Sequence, residues 1–111
     1  MFWHKVGKAQ KGKKRKAVKK IDGALRGYMV SRYGVTVDIL QNLRCVECDA
    51  VVGDKPLGLT MLRIFNPASA RGKGVAIDGY GSLDNHPELI LYEGYYREVD
   101  GQATDIKMER K

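Results

Sequence analysis

Apolar positions recur along this chain in two rhythms, and the changes of rhythm mark its elements. The densest apolar run is residues 57–65, bounded by Asp54-Lys55-Pro56 before and Asn66-Pro67 after. At a period of two, Leu57, Leu59, Met61 and Phe65 share one face, and Leu62 and Ile64 share the other. Both faces are apolar, which predicts an interior strand covered on each side. Arg63 is the exception, placed near the strand end where its head group reaches water.

Upstream the rhythm is helical. Val18, Ile21, Leu25, Tyr28 and Met29 recur at three and four, with Lys16, Lys19, Lys20 and Arg26 off that face. The spacing predicts a helix over 15–33, stopped by Gly34. Residues 35–40 alternate and predict a strand. Residues 43–52 predict another, with Val46, Cys48, Ala50 and Val52 facing one way and Cys45, Glu47 and Asp49 the other. Residues 53–56 read as a turn. Asn66 as N-cap with Pro67 at the first helical position predicts a short helix ending by Gly72. Residues 75–80 read as a further strand and 82–86 as a loop. Asp100-Gly101 then predicts a hairpin pairing 88–99 with 102–109.

The expected fold is α+β: a mostly antiparallel sheet of about five or six strands, with one long N-terminal amphipathic helix across it and a short second helix. The expected organisation is a basic flexible arm over residues 1–14 and a single α+β domain over 15–111. Apolar residues make up 43% of the 111, enough for a core. No apolar run reaches the roughly 18–20 residues of a membrane span, and the first residues lack the apolar centre of a secretory signal. A cytoplasmic protein is expected, or a nuclear one in a eukaryote.

Charge changes the picture more than composition does. The net charge of +7 is uneven: residues 1–32 hold eight Lys and three Arg against one acid, Asp22, whereas residues 33–111 hold nine basic and twelve acidic residues. Lys11, Lys13, Lys14, Arg15, Lys16, Lys19 and Lys20 form the densest basic run. Closely spaced cations neutralise phosphates and release counterions, giving salt-sensitive and sequence-tolerant binding. The same run also suits a solvated tail, an anionic membrane surface or an acidic protein partner. Tyr92, Tyr95 and Tyr96 are candidates for stacking nucleic-acid bases, against the plainer alternative of cross-strand packing.

Cys45 and Cys48 form a single C-x-x-C. Structural zinc needs four ligands, and His4 and His86 lie far from the pair in sequence, so no metal site is expected. A redox site needs the pair at a helix start; in a strand, residues three apart face opposite ways. His86 with Asp84, Glu88 and Glu93 lacks a catalytic spacing, and the glycine pairs near Lys73 and Tyr80 match no phosphate-loop pattern. The chain therefore reads as a small non-enzymatic binding module without a cofactor, directed at RNA or DNA. The alternatives are a thiol-redox or metal-binding protein using Cys45 and Cys48, and a protein-interaction module. A homodimer would cover apolar surface that so short a chain leaves open.

Overall fold

A computed structural model of the chain describes residues 9–15 and 17–111. Six strands form one antiparallel sheet: β1 (Gln10–Arg15), β2 (Lys19–Lys20), β3 (Arg44–Val52), β4 (Lys55–Phe65), β5 (Ile90–Val99) and β6 (Gln102–Arg110). The order is β1-β3-β4-β5-β6, and β2 also pairs with β3. β1 and β2 are thus two pieces of one edge, laid in succession along β3. The helices are α1 (Gly23–Tyr33), α2 (Val37–Gln41) and α3 (Pro67–Gly72).

β4 is the interior strand expected, between β3 and β5, and its faces divide as its sequence does. Leu62 and Ile64 join Cys45, Met108 and the helix residues Leu25, Met29 and Leu40 in one buried cluster. Met61 and Phe65 join Val46, Cys48, Ala70, Tyr80 and Leu83 in the other, under the crossover from β4 to β5. The sheet is therefore the middle of three layers. α1 is tied to the far edge strand at one residue: the Tyr33 hydroxyl donates to the Met108 carbonyl at 2.7 Å, and the Tyr28 hydroxyl accepts from the Met108 amide at 3.3 Å.

The long N-terminal amphipathic helix expected over 15–33 is not formed. Among the described residues the one helix of real length is α1, of 11 residues, and its predecessors are the strand segments β1 and β2. The three-and-four spacing through Val18 and Ile21 was misleading. In extended chain a separation of three sends side chains to opposite faces, and Val18 packs on the crossover side while Ile21 packs on the helix side. Pairing with β3 gives the backbone of Lys19 and Lys20 hydrogen-bond partners that an exposed Lys-rich helix turn would not improve on. Gly23, at φ +59°, then turns the chain into α1. Gly34 ends α1 in the left-handed region, as its sequence suggests.

Residues 35–40 are not a strand either. The Thr36 hydroxyl caps α2 by accepting from the Ile39 amide at 3.2 Å, and only Val35 and Leu40 of the segment are buried. Residues 75–80 form no strand, since β3 and β5 already occupy both edges of β4; Val75 and Ile77 pack from a loop. The Asn66 cap of α3 is formed, its Oδ1 accepting from the Ala68 amide at 3.0 Å. The C-terminal hairpin turns at Asp100 and Gly101, both at positive φ.

Candidate nucleic-acid interface

The basic run follows the β1–β2 edge. Lys11, Lys13, Lys14 and Arg15 belong to β1, and Lys19 and Lys20 to β2. Lys16, the side chains of Lys13, Lys14 and Arg15, and residues 1–8 of the expected arm lie outside the described residues. Two of the run's lysines already have carboxylates. Lys11 pairs with Asp84, and Lys19 pairs with Glu47. Glu47 is 1% exposed and also accepts from the Tyr96 hydroxyl, so Lys19 is held by a buried acid.

Ion pairs among the described residues also engage Arg63, Lys73, Arg97 and Lys111. Arg63 is more buried than a strand-end arginine should be. It bonds Glu93 at 2.7 Å and Asp84 at 2.8 Å, and lies 4.0 Å over the Tyr80 ring. Burial pushes the Tyr80 phenol far up, and its hydroxyl is buried without a hydrogen-bond partner among the described residues.

A different set of cations makes no ion pair among the described residues: Lys20, Arg26, Arg44 and Arg71 line two grooves at one end of the sheet. One groove, of about 500 Å³, is lined by Lys20, Arg26, Arg44 and one acid, Asp22. The other, of 710 Å³, is lined by Arg44, Arg71 and no acid at all. The two share Gln41, Asn42 and Arg44. Arg44 sits between them because it opens β3 opposite Lys20, and its Nη1 donates at 2.8 Å to the carbonyls of both Gln41 and Leu43. These bonds fix the guanidinium plane at the junction.

The stacking candidates are placed differently. Tyr95 and Tyr96 are 7% and 5% exposed, so their rings belong to the interior. Tyr92 is half-buried, 5.0 Å from the Tyr33 ring and beneath Arg110. Cys45 and Cys48 are both buried and project to opposite faces of β3, into different clusters. They therefore cannot bridge each other or share a metal within one chain. Burial raises the Cys45 thiol to about 11 despite nearby Lys19, and burial raises Cys48 as well. His86 meets Glu88 at 3.5 Å, while Asp84 and Glu93 serve Arg63.

Sequence reasoning singled out the dense lysine run and missed Arg26, Arg44 and Arg71. No local signal marks them, since they are brought together from α1, the start of β3 and α3. Comparison with protein-family models, with curated proteins and with solved structures gives no match. No helix among the described residues is long and apolar enough to cross a membrane.

Proposed function

We propose that this chain is a small non-enzymatic module that binds single-stranded RNA or DNA at the Arg44 end of its sheet. The observation that carries this reading is the gathering of Lys20, Arg26, Arg44 and Arg71, none ion-paired among the described residues, around two grooves that hold one carboxylate between them. Cations without an ion pair break none to reach phosphates, whereas Lys11 and Lys19 would first have to leave their acids. The β1–β2 edge runs along β3 towards that end, with Lys11 in β1 and Lys19 and Lys20 in β2.

A titration of a labelled single strand at several salt concentrations tests this. With about four phosphates neutralised, log K falls against log salt with a slope near −3, and each of Lys20→Ala, Arg26→Ala and Arg71→Ala flattens it by about 0.7. Absent binding at low salt by the folded protein, or binding indifferent to all three substitutions, rejects the reading. The position of β1 at the sheet edge favours a second one, in which its lysines only deter edge-to-edge pairing. In that case the three variants behave alike towards the strand, and replacing Lys11, Lys13 and Lys14 causes self-association.

A further inference from the structure

We propose that the 710 Å³ groove beneath Arg44 is a nucleotide pocket, which takes a base against Val18, Val75 and Ile77 and the adjoining phosphate on Arg44 and Arg71. The proposal rests on the nucleic-acid reading above and names the unit that the surface grips. Its volume falls within the roughly 300–1,000 Å³ of small-molecule sites. Val18, Val75 and Ile77 are half-buried, each packed on the core cluster and each lining the groove. Two of these three come from the crossover and the third from the edge segment between β1 and β2, so the apolar surface draws on two separate segments.

Charge selects the occupant. Other grooves on the molecule carry carboxylates: Asp49, Asp54 and Glu98 in one, Asp22 in a second, Asp22, Glu47 and Glu98 in a third. This one carries two arginines and none. Arg44 spends only Nη1 on the carbonyls of Gln41 and Leu43. Three of its five N–H donors have no hydrogen-bond partner among the described residues, the fork geometry that phosphate oxygens fit.

The groove also offers amides whose free ends are decided. Asn66 commits its Oδ1 to the Ala68 amide at 3.0 Å, which leaves its NH2 as a donor. Asn42 commits its Nδ2 to the Asp38 carbonyl at 3.3 Å, which leaves its oxygen as an acceptor. A donor and an acceptor beside an apolar slot suit the edge of an unstacked base. An apolar acid would leave the two amides idle, and a bare phosphate would leave both the amides and the apolar wall idle.

Two-dimensional NMR titrations separate the outcomes, with a nucleoside 5′-monophosphate, inorganic phosphate and a short single-stranded oligonucleotide as probes. The monophosphate is expected to shift the amides of Arg44, Val75 and Ile77 and the Asn66 side-chain NH2, and to bind at least about tenfold more tightly than inorganic phosphate. Ala68 is exposed and lines the groove, so Ala68→Trp fills it without removing charge. That variant is expected to lose monophosphate binding by about tenfold or more while keeping the salt slope of the oligonucleotide. Arg71→Ala, at an exposed position, gives a second route if Ala68→Trp folds poorly, with a similar loss for both nucleotide and phosphate. Equal affinity for nucleotide and inorganic phosphate, or undiminished nucleotide binding by folded Ala68→Trp, overturns the pocket. If the oligonucleotide binds through Lys20 and Arg26 and the monophosphate shifts nothing, the pocket falls and the wider reading stands. If no probe binds, both fall.

Discussion

Lys19 reaches from the sheet edge to Glu47, a carboxylate only 1% exposed on the helix-covered face. Half of the Lys19 side chain remains in solvent, so the pair joins a wet cation to a dry anion. Removing the cation leaves Glu47 with Tyr96 as its hydrogen-bond donor in that trio. Lys19→Ala is expected to cost about 1–2 kcal/mol, less than the ~3–5 kcal/mol for breaking a fully buried pair, because Lys19 is half solvated. Urea unfolding of Lys19→Ala, Glu47→Gln and the double variant measures it. A coupling near zero means that Glu47 is held by other groups. The same contact predicts an asymmetry between neighbours: Lys20→Ala weakens nucleic-acid binding more than Lys19→Ala does.

Asp84 predicts the response to acid. Burial pushes its carboxyl up, but the hydrogen bonds from Lys11 and Arg63 outweigh that, and the net shift is below its ordinary value of 3.8. Its folded pKa is lower than its unfolded one, so its contribution to stability is complete above the unfolded value and is lost as pH falls through the folded value. Stability is expected to decline below about pH 4 more steeply in the wild type than in Asp84→Asn. Denaturation midpoints for the two proteins across that window check this, and parallel curves would show that Asp84 contributes nothing.

Gly94 occupies a position where a side chain has no room. A Cβ there would stand 1.9 Å from the Lys107 carbonyl oxygen and 2.7 Å from the Met108 Cα, both backbone atoms of β6. Gly94→Ala must therefore open the β5–β6 ladder, and a loss of about 3 kcal/mol is expected, the upper end for overpacking. Gly12→Ala meets the Asp49 carbonyl oxygen at 2.7 Å, but β1 lies at an edge and has space to shift. Thermal unfolding should rank Gly94→Ala as the more damaging. The reverse order would mean that β6 yields more readily than β1.

The cysteines predict a silent pair. Cys45 and Cys48 are both 0% exposed, and burial raises both thiols above their ordinary value. Reaction requires the thiolate and access to it. An aromatic disulfide reagent at neutral pH should label neither in the folded protein and both after unfolding in guanidinium. Rapid labelling of one thiol under native conditions would restore the case for redox chemistry at that residue.

Much of the sheet was legible because its determinants are local. The apolar faces of β4, the Asn66 cap and the Asp100-Gly101 turn each carry their cause within a few residues. β1 and β2 were not legible, because an edge strand made of lysines has no apolar alternation and takes its stability from β3 alone. α2 was hidden behind β-branched Val37 and Ile39, which are exposed and so exert no packing preference, while the Thr36 cap decided the conformation. The tyrosines were legible as strand residues, but a sequence does not say which face a second layer will cover. The candidate site was least legible, since what distinguishes Arg44 and Arg71 from Lys11 and Lys19 is that no carboxylate among the described residues pairs with them, and that is a property of the folded surface.

The placement of β1 along β3 also governs what the chain can afford to lose. β3 is buried through Cys45, Val46, Glu47, Cys48 and Ala50, and only the Lys-rich segments keep its outer backbone from presenting open donors and acceptors. Trimming residues 1–15 would bare that ladder and turn an interior strand into a template for a second copy of itself. The segment that resembles a dispensable tail is thus a selvedge: it finishes the sheet on the side where fraying would begin. A polyanion that stripped β1 from β3 would bare the same ladder, so the proposed binding requires this strand to stay in its place.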